Sequence, residues 1–203
     1  EHNERREYRL ATKFRNLSGA KEERDRVSRI CLDHVCRMSQ RLGEAVEFSI
    51  LTGGERWVLA EASPDRTLTV NTEFFRKSPL WSTASGRALM AWLETAAFQD
   101  ILKTRRFPSG PEWLGFQTPA AVSRHLAEIR ENSFAFIDKG EVVAIAAPVL
   151  DQGGRAWGAL GTYLPKSRYT ATRRREITRV LSESISSLRG DLFPPSRGGK
   201  NAA

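Results

Sequence analysis

Cysteine and histidine are scarce in this sequence: Cys31, Cys36, His2, His34 and His125 are all it has of them in 203 residues. The two cysteines stand five apart in a helical pattern. At about 100° per residue they point roughly 140° away from each other and can neither pair nor chelate. With no Cys-x-x-Cys and no His-x-x-x-His, there is no zinc-ligand spacing. No apolar run approaches the ~20 residues that span a bilayer, and the stretch from Glu1 to Arg9 is too charged for the apolar region of a secretory signal. A cytoplasmic location is therefore expected. Also lacking are a Gly-x-Ser-x-Gly elbow, a Walker or dinucleotide glycine pattern, and a histidine set beside a serine or cysteine with an acidic partner. Nucleophilic and nucleotide-dependent enzymes thus find no footing, and no cofactor or metal is expected.

What is present describes an ordinary globular chain, with 40% hydrophobic and 28% charged residues, long enough for one domain with a sizeable core. The net charge of +8 is unevenly spread: residues 1–29 carry +3, residues 30–163 carry −1 and residues 164–203 carry +6. Basic ends on a neutral middle raise direct nucleic-acid binding as one reading.

Apolar residues Val27, Ile30, Cys31, Val35, Met38 and Leu42 recur at helical spacing, and Gly43 is a stop. Val46 to Leu51 and Trp57 to Ala60 around Gly53-Gly54 predict a hairpin, and Arg66 to Asn71 alternates like a third strand. A helix is expected to start near Ser82 or Thr83 and run to about Leu93. Thr104 to Thr118, with its prolines and glycines, reads as a loop. Thr118-Pro119 then supplies an N-cap and a first-turn proline for a helix to about Asn132. Strands are predicted at Phe134 to Ile137, Val142 to Leu150 and Ala156 to Leu164, the last two antiparallel across Asp151 to Gly154, and a final helix from about Ala171 to Arg189. Residues 191–203 read as a disordered tail. The pattern is that of an α+β domain, an antiparallel sheet with helices mainly on one face.

Three places invite chemistry. Thr83, Ala84, Ser85 and Gly86 open a helix with free backbone N–H groups and little bulk above them, which suits a carboxylate or phosphate; close packing against the sheet is the equal alternative. Asp138 and Glu141 lie three apart at a strand junction, a solvated turn pair in the first reading and the acid/base dyad of a small hydrolase in the second, which requires one of them to be desolvated. His125 in VSRHLAEI reads as a surface or boundary residue, and Arg173-Arg174-Arg175 as a solvated helix face, with an acidic partner or DNA as the alternative.

Taken together, Pro79-Leu80-x-x-Thr83-Ala84-x-Gly86-Arg87-Ala88-Leu89, then Thr118 and a helix ending Glu128-Ile129-Arg130, then Ile145-Ala146-Ala147-Pro148-Val149 and a strand with Pro165 resemble the effector-binding domain of IclR-type (isocitrate lyase regulator family) bacterial transcription factors over residues 22–190. The resemblance implies a GAF-like sheet and a regulator, not an enzyme. It also implies a small-carboxylate effector held by the helix start at Thr83, Ala84 and Ser85, by Asp138 or Glu141, by Ala144, and by Gly161 and Tyr163. Period-two geometry puts Ala144, Ala146 and Pro148 on one strand face and Trp157, Ala159, Gly161 and Tyr163 on another, so both sets can line one cavity. Family members commonly carry serine where this chain has Gly161 and Tyr163. That change, with Trp81 and Trp57 nearby, points from a very small keto acid toward a larger or aromatic carboxylate. The resemblance further implies a homodimer or homotetramer, and residues 1–21 as the remnant of a winged-helix and linker segment. DNA would then be bound through an N-terminal winged helix-turn-helix missing from this chain.

Overall fold

The computed structural model describes residues 21–66, 70, 76, 78–104 and 118–194. Five helices and five strands follow one another as α1 (Lys21–Leu42), β1 (Ala45–Thr52), β2 (Glu55–Ala62), α2 (Ala84–Ala91), α3 (Thr95–Thr104), α4 (Pro119–Asn132), β3 (Ala135–Lys139), β4 (Val142–Leu150), β5 (Ala156–Pro165) and α5 (Ala171–Leu192). The strands form one antiparallel sheet in the order β2-β1-β5-β4-β3. Thr83, Thr118 and Thr170 each accept a hydrogen bond from the backbone N–H three residues on, which caps α2, α4 and α5. Gly43 ends α1 in the left-handed region, and Gly53-Gly54, both at positive φ, form the tight β1–β2 turn. The strand expected over Arg66 to Asn71 and the loop after Thr104 fall largely outside the described residues, as do residues 1–20 and 195–203. The short helix α3 was not anticipated.

The helices are shared between the two faces of the sheet, a departure from the expected one-sided arrangement. Strands β1, β4 and β5 are buried on both faces, so each face needs a cover. On one face α1 and α5 lie against Val46, Phe48, Val143, Ile145, Leu160 and Leu164. On the other, α2, α3 and α4 cover Ala45, Ala135, Ala144, Ala146, Ala159 and Tyr163, a bed of mostly small residues. Helices α1 and α5 also pack on each other. Arg26 donates to the carbonyls of Asp191 and Leu192, His34 Nε2 lies 2.7 Å from Asp191, and Arg41 pairs with Glu183. Cys31, inside this packing, has its thiol pushed up to about 12 by burial and is chemically inert.

A β-bulge between Val149 and Leu150 breaks the alternation in β5. Trp157, expected on the face of Ala159, instead stacks at 5.6 Å on Phe48 and edge-on at 5.8 Å on Phe193, on the α1–α5 side. Gly158 lets Phe48 approach, since a Cβ there would lie 2.1 Å from the end of its ring. Gly158→Ala is therefore expected to cost about 1–3 kcal/mol, read in urea unfolding, because the Phe48 ring is held by Trp157 and cannot simply rotate away.

Candidate functional site

The start of α2 sits directly on the sheet. Ala84, Ser85 and Gly86 are all buried, and an added Cβ at Gly86 would stand 1.7 Å from the Leu80 carbonyl oxygen. Close packing is thus one reason for the small residues here. The second is polar. Beneath the helix start, Glu47 Oε1 accepts hydrogen bonds from Ser85 Oγ at 2.6 Å, Arg56 Nη1 at 2.8 Å and Ser49 Oγ at 3.1 Å. Arg56 Nη1 also donates to Ser49 Oγ at 2.9 Å, and both members of the ion pair have side chains buried to within 1% of full exclusion from solvent.

The sheet assembles this cluster by register. Glu47 and Ser49 share a face of β1 by period two, and β2 brings Arg56 across the tight hairpin. Gly161 is the direct neighbour of Glu47 in β5, and Ala146 the neighbour of Gly161 in β4. Ala144 likewise stands beside Tyr163 and Pro148 beside Ala159. Glu61 faces Glu47 from β2 and is paired with Arg76. Burial opposes the charge on Arg56, but the Glu47 carboxylate outweighs it and leaves the guanidinium more firmly protonated than usual. Burial and then Glu47 push the Tyr163 phenol well up, so it remains neutral.

One turn further along α2, the buried Arg87 donates from Nε to the Trp81 carbonyl at 2.8 Å, and its Nη1 lies 3.2 Å from His125 Nε2 on α4. Burial lowers the Arg87 guanidinium to about 10. The same desolvation, and then the Arg87 charge, lower His125, with Glu128 offsetting part of it. The folded protein therefore holds His125 neutral where the unfolded chain would take up a proton, and stability falls as pH drops from about 6.5 toward the depressed folded value. Removing this group with His125→Asn should flatten the decline in unfolding free energy between about pH 7 and pH 5.

Of the residues singled out in the sequence, Trp81, Thr83, Ala84, Ser85, Gly86, Ala144, Ala146, Gly161 and Tyr163 come together on this face. Asp138 and Glu141 do not. Both are exposed on the β3–β4 hairpin, where Asp138 takes Lys166 Nζ at 2.8 Å. Neither is desolvated, so the hydrolase dyad loses its requirement. Trp57 packs with the α1–α5 core, away from the cluster. In the basic run, Arg173 bonds the Leu42 carbonyl, Glu44 and Glu176, Arg174 lies 4.3 Å over the Phe136 ring, and Arg175 Nε donates to the Ala171 carbonyl at 3.3 Å, so all three are engaged within the domain. Sequence reasoning missed Glu47, Ser49, Arg56 and Arg87; His125, read as a surface or boundary residue, is half-buried. The polar positions of VEFSI carried a signal, but alternation alone assigns them to solvent.

Residues 23–188 match the family described as bacterial transcriptional regulator IclR C-terminal. The HTH-type transcriptional regulator BhcR of Paracoccus denitrificans is 24% identical over 170 residues, which are 82% of this chain and 60% of that protein. The chain therefore spans about three fifths of this curated relative. The Thermotoga maritima IclR structure superposes with a TM-score of 0.68 at 18% identity, covering 88% of this chain and 70% of the other. A double mutant of the inducer-binding domain of the Acinetobacter transcription factor PobR, in complex with 3-hydroxybenzoic acid, superposes with a TM-score of 0.66 at 15% identity, covering 80% and 97%. A GAF-like sheet covered on both faces, matched over most of its length by that family, makes this chain a member of the IclR C-terminal domains of bacterial transcriptional regulators, a family of regulators and not of enzymes.

Proposed function

We propose that this domain is the effector sensor of a cytoplasmic transcriptional regulator. A small organic carboxylate, aromatic ones included, binds at the start of α2. Its differential affinity for two arrangements of a homodimer or homotetramer biases DNA binding by a winged helix-turn-helix ahead of α1. The observation that carries the reading is the convergence of Ser85, Arg56, Ser49 and Glu47, all buried, under the small first turn of α2 and over Gly161 and Ala146. A core that served packing alone would be apolar here, since a buried ion pair is seldom a net gain over well-packed hydrophobic residues. The inducer-binding domain of PobR, in complex with 3-hydroxybenzoic acid, supports the choice of ligands to try first.

Titration calorimetry and thermal shift with benzoate, hydroxybenzoates and short-chain carboxylates test the proposal. Saturable binding is expected, with about 2.7 kcal/mol of added stability at a hundredfold excess over Kd. Ser85→Ala should weaken it by about tenfold through loss of one hydroxyl contact. No binding by any member of the panel would sink the reading.

A further inference from the structure

The Glu47 carboxylate is used lopsidedly. Oε1 takes three donors, from Ser85, Arg56 and Ser49, none of which reaches Oε2, which is buried without a partner of hydrogen-bond geometry among the described residues, although the Tyr163 phenol on β5 bears on the same carboxylate. A buried acceptor left without a donor costs the full desolvation of that group, more so for a carboxylate. On the β5 side the neighbours of Glu47 across the sheet are small, Gly161 and then Ala146, while on the β2 side it faces Glu61, which is paired with Arg76. At the same helix start, Trp81 shows the complementary deficit: its indole Nε1 is buried and finds no acceptor among the described residues.

Resting on the carboxylate reading above, we propose that Glu47 is the specificity-determining residue of the effector site. It accepts, through Oε2, a hydrogen bond from a hydroxyl or ammonium group on the effector. The ligand class is accordingly a hydroxy- or amino-substituted carboxylate. The substituent answers Glu47 Oε2, and the carboxylate is free to take donors such as the Trp81 indole N–H. A plain carboxylate satisfies the second need and leaves the first, and a site built around a buried polar group discriminates strongly against the analogue that lacks the matching group.

The test uses matched probes on this chain: benzoate against 3- and 4-hydroxybenzoate, and propionate against lactate and alanine, by calorimetry. In at least one pair the substituted member should bind about tenfold or more tightly than its plain counterpart. Glu47→Gln should bring that ratio close to one. If the single variant does not fold, Glu47→Gln with Arg56→Gln removes both charges and gives the same readout. Equal affinity of plain and substituted carboxylates in the wild type overturns this inference and leaves the carboxylate site standing. So does an unchanged ratio in a folded Glu47 variant, or a uniform loss of both ligands, since a residue that reads the donor must alter the ratio. If no carboxylate binds at all, both readings fall.

Discussion

Glu47→Ala alone is expected to cost about 3–5 kcal/mol, a large part of the total stability of a domain of this size. Removing the carboxylate leaves the Arg56 guanidinium with its side chain fully buried and its principal counter-charge gone, and strands the donors of Ser49 and Ser85. Arg56→Met should be about as damaging, for the mirror reason that it leaves the buried Glu47 carboxyl without its counter-charge. The double change Glu47→Leu with Arg56→Met is the informative one. Both charges disappear together, similar volumes remain, and stability should return to within about 2 kcal/mol of wild type. Urea unfolding of the four proteins measures the cycle, and a strongly favourable coupling between the two sites is expected. Additive losses would mean that the pair is not the unit the geometry describes.

Gly86→Ala is the second large effect, at about 3 kcal/mol or more. Its Cβ would stand 1.7 Å from the Leu80 carbonyl oxygen and 2.8 Å from Thr83 Oγ1. The first obstacle is backbone, held in the 3-10 turn Leu80–Ser82, so it has no rotamer to change; the second is the atom that caps α2 through the Gly86 N–H. The helix start must therefore lift off the sheet, breaking the cap and pulling Ser85 from Glu47. Gly190→Ala offers the control. It too is a helical glycine, but nothing lies within 4 Å of its Cβ position, and alanine should stabilise α5 by about 0.8 kcal/mol from propensity alone.

Helix stripes, the Gly43 stop, the Gly53-Gly54 turn, the Thr118-Pro119 cap and the pairing of β4 with β5 were legible in the sequence because each is decided within a few residues. Ala144, Ala146, Gly161 and Tyr163 could be placed on one face because period two is robust where no bulge intervenes. Trp157 shows the limit, since one extra residue in β5 turned it to the far side. The centre of the site escaped for a different reason. Glu47 and Ser49 alternate with Val46, Phe48 and Ile50, which is also the signature of a strand with one wet face. Only a helix arriving from forty residues away determines that this face is dry. For Asp138 and Glu141 the solvated turn pair, the first of the two readings, matches the exposed hairpin, because the turn between β3 and β4 carries its side chains into solvent.

Strand β1 belongs to both halves of the molecule. Its odd positions, 45, 47 and 49, face α2, and its even positions, Val46, Phe48 and Ile50, are wedged beneath α1. Glu47 and Phe48 are adjacent on the backbone, so a single peptide unit joins the polar cluster to the helix that leads toward the N-terminal side. The Glu47 carboxylate and the underside of α1 therefore bear on the same stretch of strand, with no relay of intermediate side chains between them.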